Sequence, residues 1–224
     1  MASMEPSLDA LEIITGTVPD ASVIWLHGLG ADGHDFADVV NALKLPVPLR
    51  FVLPHAPLRA ITINGGYRMP AWYDVLSTEI AARQDAPGIR ASQQLLESFI
   101  ARERQRGIAA RRILLAGFSQ GGAIALHSGL RHADRLGGII ALSTYLPLMA
   151  TLDAEQSAAN AGLPIFMGHG RQDTMIPIDT ARASRDFLLA RDYAVSWHEY
   201  AMPHSVCADE IADIRDFIVQ ALSQ

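Results

Sequence analysis

The chain has 224 residues, half of them hydrophobic, with 19% charged, 7% aromatic and a formal net charge of −6. A globular chain of this length buries roughly 70–75% of its unfolded surface, so it needs neither disulfides nor a structural metal to hold a core. The acidic balance offers no basic face to phosphate backbones, which excludes a nucleic-acid-binding reading, and the single cysteine, Cys207, permits no intrachain disulfide and fits a reducing compartment.

Residues 1–12, dotted with Glu5, Asp9 and Glu12, lack the basic and apolar halves of a secretory signal. Ala21–His27 (ASVIWLH) is a short apolar run ending in glycines, which predicts a buried strand. Asp35 is placed to cap a helix carrying Phe36, Val39, Val40 and Leu43 on one face. Arg50–Leu53 predicts another short strand, stopped by Pro54. Pro, Gly and Ala crowd residues 55–87, where little regular structure can be assigned; a long irregular segment of this kind is often a functional loop. Ile89, Leu96, Phe99, Ile100 and Ile108 predict a helix over 88–107, ended by Gly107. Arg112–Phe118 reads as a strand, followed by a helix from Gln120 to Arg131. Gly138–Leu142 and Pro164–Met167 are two more buried strands, a helix fits 178–191, and Ala194–Tyr200 alternates like a strand. The final helix turns Ile211, Ile214, Ile218, Ala221 and Leu222 inward.

The most apolar window, Leu136–Leu152, is interrupted by Ser143, Thr144 and Pro147 and falls short of a membrane span, so a cytoplasmic protein without stable membrane insertion is expected. No repeat, low-complexity tract or linker divides the chain, and one domain over residues 1–224 is expected. Apolar strands alternating with helices give an α/β fold: a mostly parallel central sheet with helices on both faces. Sites in such sheets form outside the carboxyl ends of the strands, which directs attention to the loops after Leu26, Phe118, Gly168 and Tyr200.

Gly117-Phe118-Ser119-Gln120-Gly121 matches G-x-S-x-G between an apolar strand and a helix, the context of a nucleophile elbow. Small residues two before and two after the serine let the chain turn sharply, and the helix N-terminus points its free N–H groups at the reacting centre. A serine hydroxyl needs a base. His204, in Met202-Pro203-His204-Ser205 between the last strand and the last helix, is the expected one. His198 and His132 fall in or beside regular elements, and His34 and His55 come too early in the chain. His169 is the rival, but it stands four residues from Asp173, the expected acid in the loop after Pro164–Met167. Asp179 fits a helix start better than an acid role. The order Ser119, Asp173, His204 is that of α/β-hydrolases, and a base that must be neutral predicts activity rising through about pH 6–7.

The developing oxyanion needs donors, and the backbone N–H groups of Gln120 and, in His27-Gly28-Leu29-Gly30, of Leu29 are the candidates. No G-x-G-x-x-G or phosphate-loop lysine accompanies these glycines. Cys207 reads as a small apolar residue of the last helix. With no H-E-x-x-H and no paired-cysteine spacing, no metal and no cofactor are implied.

With these residues in view, the chain resembles the carboxylesterase, lysophospholipase and acyl-protein thioesterase family of small α/β-hydrolases, in its bacterial carboxylesterase branch. The resemblance runs from about residue 10 to the end and rests on Leu26-His27-Gly28-Leu29-Gly30-Ala31-Asp32-Gly33, Arg68-Met69-Pro70-Ala71-Trp72-Tyr73-Asp74, the Ser119 elbow, Gly168-His169-Gly170 with Asp173, and Met202-Pro203-His204-Ser205. It implies Ser119, Asp173 and His204 as triad, Leu29 and Gln120 as oxyanion hole, no large lid domain, and an often dimeric enzyme that hydrolyses acyl esters, thioesters or lysophospholipids. It further implies an acyl groove in which Met69, Pro70, Trp72 and Tyr73 join Leu29, Tyr145, Leu146, Met175 and Ile176.

Overall fold

The computed structural model describes residues 9–77 and 83–223. Residues 1–8 of the N-terminal reading and residues 78–82 of the 55–87 stretch lie outside the described residues. Seven strands form one sheet: β1 (Ala10–Thr15), β2 (Ala21–Leu26), β3 (Leu49–Pro54), β6 (Ile113–Phe118), β7 (Gly138–Leu142), β8 (Pro164–Gly170) and β9 (Ala194–Tyr200), in the order β1-β3-β2-β6-β7-β8-β9. All neighbours are parallel except β1, which runs antiparallel to β3 at the edge.

The sheet is covered on both sides because its central strands are apolar on both faces. Along β2, Ile24 and Leu26 enter one core with Ile89, Leu96, Phe99 and Ile100 of α2 (Ala86–Gln105) and Leu188 of α5 (Ile178–Leu189). The alternate residues Val23 and Trp25 enter the opposite core with Val40 and Leu43 of α1 (Ala37–Leu43) and Ile214 and Ile218 of α6 (Ala208–Leu222). The same two-residue alternation recurs in β6 and β7: Leu115 and Ile139 face the first core, Leu114 and Ile140 the second. This period places helices on both faces of a parallel sheet. The remaining helices are α3 (Gln120–Gly129), buried along its whole length, and the short α4 (Leu152–Glu155).

The expected boundaries hold with five corrections. β1 was not anticipated; its residues are mostly half-buried, as an edge strand requires. Within 55–87 the chain forms a hairpin, β4 (Leu58–Ile61) with β5 (Tyr67–Pro70), closed by a one-turn 3₁₀ segment and by Gly65 and Gly66 at φ 64° and 82°. The residue capping the segment before α1 is Asp32, whose carboxylate accepts from His34 N at 2.7 Å; Asp35 returns the contact to Asp32 N. Cys207 precedes α6 at its cap position instead of lying inside the helix. Finally β8 runs on to Gly170, so His169 belongs to the strand.

Candidate active site

Ser119 follows β6 at the middle of the sheet and carries φ 54° and ψ −119°, a backbone conformation that a non-glycine residue holds only when its surroundings enforce it. Three backbone contacts do so. Ser119 N donates to Leu142 O at 2.9 Å, and Ser119 O accepts from Ala123 N at 3.1 Å and from Thr144 Oγ1 at 2.6 Å. The tightness of the turn is steric: a Cβ on Gly121 would stand 2.6 Å from His27 O, and one on Gly117 would stand 2.5 Å from Gly122 N. Only glycine fits at either position.

The loops after β8 and β9 carry the other two groups, and backbone hydrogen bonds join them. Arg171 N donates to Tyr200 O at 2.8 Å and Gln172 N to Met202 O at 3.1 Å. Asp173 and His204 thereby meet, with His204 Nδ1 2.6 Å from Asp173 Oδ2. The Asp173 side chain is fully buried, and its other oxygen, Oδ1, accepts from Met175 N and Ile176 N, each at 2.9 Å. Three donors around one carboxylate compensate its removal from water. The imidazole of His204 packs on Phe118, the residue immediately before Ser119, with ring centroids 4.6 Å apart.

His169, the rival histidine, is buried beside this pair: its Nε2 donates to Ile176 O at 2.9 Å and lies 3.4 Å from Asp173 Oδ2. Burial lowers its pKa below the usual histidine range, which keeps it a neutral support for the Asp173 loop. Of the other histidines, His132 Nδ1 pairs with Glu97 at 2.7 Å and the His198 ring stacks on Phe166, both away from Ser119.

The loop after β2 passes against the elbow. A Cβ on Gly28 would lie 3.6 Å from Ser119 Cβ, so the backbone at Gly28 and Leu29 runs beside the serine. Ala31 N bonds Gly28 O at 3.3 Å and Gly30 N bonds Pro70 O at 2.9 Å, while among the described residues the Leu29 N–H has no acceptor. The N–H of Gln120, first residue of α3, has no intrahelical partner either.

Beneath this loop lies a polar clamp that the sequence did not reveal. His27 Nδ1 donates to Gly28 O at 2.7 Å and its Nε2 accepts from Ala56 N at 3.0 Å. Burial lowers the His27 pKa, consistent with the neutral ring those two bonds demand. Trp72 Nε1 donates to His27 O at 2.9 Å. The Gln120 side chain accepts from Trp72 N at 2.8 Å and donates to Tyr73 O at 2.7 Å. Gln120 thus has a second structural duty beside its backbone N–H. Such pairs, nearly fifty residues apart, leave no local sequence signal.

The expected groove residues separate into three groups. Tyr145 and Leu146 line an apolar cavity of about 970 Å³ together with Leu148, Met149, Ala183 and Phe187. Those last four residues were not anticipated. Trp72 is 1% exposed and, like Tyr73 and Ile176, is buried instead of lining an open groove. Tyr73 Oη meets Tyr145 Oη at 2.8 Å, and burial raises the Tyr145 hydroxyl to about 12, so both phenols stay neutral. Met175 is 68% exposed, beyond the Asp173 turn, and Met69 places its sulfur beside Gly30.

The chain matches the phospholipase/carboxylesterase family over residues 8–222. It is 40% identical over 214 residues to an acyl-protein thioesterase 1 of Neurospora crassa, covering 90% of this chain and 87% of that protein. It is 34% identical to an acyl-protein thioesterase 1 of Yarrowia lipolytica, covering 98% and 100%. Among solved structures, Arabidopsis thaliana SOBER1 superposes with a TM-score of 0.85 at 25% identity, covering 90% of this chain and 99% of that one. Zea mays acyl-protein thioesterase 2 does so with 0.83 at 25% identity, covering 96% and 99%.

Proposed function

Because the chain belongs to the phospholipase/carboxylesterase family of α/β-hydrolases, which hydrolyse ester and thioester bonds, we propose that it does so through Ser119 as nucleophile, His204 as general base and Asp173 as the acid that orients it. The observation that carries this reading is the strained Ser119 directly after Phe118, on whose ring packs a histidine held by a buried carboxylate 2.6 Å away. Ser119 Oγ attacks the acyl carbonyl as its proton passes to His204 Nε2. Asp173, accepting from Nδ1, fixes the tautomer and stabilises the imidazolium. The oxyanion is received by the N–H groups of Leu29 and Gln120, which have no acceptor of their own. His204 returns the proton to the leaving alkoxide or thiolate. It then activates water to cleave the acyl-enzyme.

The acyl chain occupies the apolar cavity. Tyr145 on its wall directly follows Thr144, whose hydroxyl holds the Ser119 carbonyl, and this link between the cavity lining and the elbow supports that assignment. Its volume is within the usual range of ligand sites, about 300–1,000 Å³. Acyl-protein thioesterases among the relatives favour an acyl ester or thioester substrate with an apolar chain. The unbroken sheet and the family match over residues 8–222 support one catalytic domain. No helix among the described residues is long and apolar enough to cross a membrane. A homodimer is the assembly in keeping with the family resemblance. The test is intact mass after exposure to a fluorophosphonate, with peptide mapping. One adduct on Ser119, lost in His204→Ala, is expected. A folded protein that takes no adduct overturns the reading.

A further inference from the structure

Asp32, His34 and His55 form a cluster of ligand-bearing side chains apart from the catalytic pair. One ligand atom from each lies within 4.8 Å of the others. Asp32 Oδ1 is 2.9 Å from His34 Nδ1, and the His34 and His55 rings sit 5.3 Å apart at 32°. Local chemistry fixes the backbone beneath them. Asp32 Oδ1 also accepts from His34 N at 2.7 Å, and Gly33 N donates to His55 Nδ1 at 3.2 Å. Gly33 itself is pressed against the end of β3, where a Cβ would stand 3.1 Å from the Leu53 carbonyl carbon. His55 is anchored in turn through its N–H to Asp9 O at 3.1 Å. The side chains above this platform are reachable from solvent: Asp32 is 52% exposed and His34 66%.

We propose that Asp32, His34 and His55 bind a divalent transition metal ion of the zinc type, with a fourth position left to water. Two imidazoles and one carboxylate suit zinc, cobalt or nickel, whereas calcium and magnesium call for oxygen ligands. Metal–ligand bonds of about 2.0–2.2 Å place tetrahedral ligand atoms roughly 3.3–3.6 Å apart. The 2.9 Å pair must open slightly and the widest pair must close from 4.8 Å. Rotations of the exposed Asp32 and His34 side chains toward half-buried His55 accomplish both.

The position gives the site a consequence. Asp32 is three residues from Leu29, in the loop after β2, and His55 follows β3 and adjoins Ala56, whose N–H holds His27. A bound ion ties those two loops together. Its effect on rate rests on the oxyanion reading above; the binding does not.

The test uses the full chain, freed of metal with a chelator and titrated with Co(II) while its visible absorption is followed, then with Zn(II) in competition. One equivalent of Co(II) with an intense four-coordinate spectrum is expected, displaced by Zn(II). His34→Gln and His55→Gln should each weaken binding at least about tenfold, roughly 1.4 kcal/mol. His132→Gln and His198→Gln, which remove histidines near Glu97 and Asp213, should leave it unchanged. Ser119→Ala should bind as the parent does, which keeps this result separate from the fate of the catalytic reading. Circular dichroism verifies that each variant is folded. A pale six-coordinate spectrum, no binding at millimolar Co(II), or affinity unaltered in His34→Gln and His55→Gln would overturn the proposal.

Discussion

Asp173 and His204 are joined across the ends of β8 and β9 at 2.6 Å, and the carboxylate is held from behind by the N–H groups of Met175 and Ile176. An amide at position 173 keeps an oxygen for the two backbone donors but presents NH₂ to the histidine, which forces the wrong tautomer. Asp173→Asn should therefore fold normally and lose on the order of 10⁴ in kcat. Ester hydrolysis and a thermal melt on the same preparation check this. A variant that retains more than a tenth of the activity would point to another acid.

Gln120 supplies the next expectation, because its amide bonds two backbone groups in a buried place, Trp72 N and Tyr73 O. Gln120→Ala leaves both unpaired, at about 1–3 kcal/mol each. The variant should lose roughly 2–6 kcal/mol in urea unfolding. Its backbone N–H remains, so kcat should fall less than the 10²–10³ associated with losing an oxyanion donor. A stability equal to the parent's would mean that the clamp does not form.

The two loop glycines should behave differently. A methyl on Gly121 meets backbone that cannot move, 2.6 Å from His27 O, and Gly121→Ala should yield no folded protein. A methyl on Gly28 meets the Phe118 ring at 3.3 Å and Ser119 Cβ at 3.6 Å, which slight shifts relieve. Gly28→Ala should fold and lose about 10² in kcat through displacement of the Leu29 N–H. Comparing soluble yield with kcat separates the two cases; the reverse pattern would refute this account of the loop.

What the sequence made legible follows from where the signal is local. β2, β6, β7 and β8 are read as unbroken apolar runs because they are buried on both faces. Ser119, Asp173 and His204 emerge because each stands in a short motif at a strand end. β1 was not legible: it is an edge strand with Glu12 at its centre, where Glu12 meets Arg102 and Arg106. The β4–β5 hairpin hides behind polar residues such as Arg59 and Arg68. The hold of Thr144 on Ser119 and of Gln120 on Trp72 depends on pairing across 25 and 48 residues, which no window reveals. The resemblance implied a groove role for Trp72, yet its indole is spent on His27.

Glu210 gives the protein a pH dependence. It lies buried in the first turn of α6 against Gly168, and neither carboxylate oxygen has a hydrogen-bond partner among the described residues. Burial first and Asp213 second raise its pKa to about 8. Asp213 itself accepts from Tyr200 Oη at 2.8 Å. The folded state thus holds a proton that the unfolded chain releases near 4.5. Stability from this group is complete below that value and is lost as pH rises to about 8, at about 1.4 kcal/mol per pH unit. Glu210→Gln should melt higher than the parent at pH ~8 and close to it at pH ~5. Parallel melting curves across that range would show that the carboxylate is ionised in the fold.

The apolar cavity sets the last expectation, chain-length selectivity. Each methylene it buries is worth up to about 0.8 kcal/mol, so kcat/KM should climb severalfold per methylene along a series of p-nitrophenyl esters until the cavity is filled. Met149, half-buried on the cavity wall, can accept a charge without disturbing the core. Met149→Asp should depress kcat/KM for an octanoyl ester by at least about tenfold, since an ionised carboxylate against an apolar chain keeps its water and denies the chain its burial. The acetyl ester, too short to reach Met149, should be affected much less. Equal losses on both esters would place the acyl chain elsewhere, and a flat chain-length series in the parent would mean that the cavity takes no part in selecting the substrate.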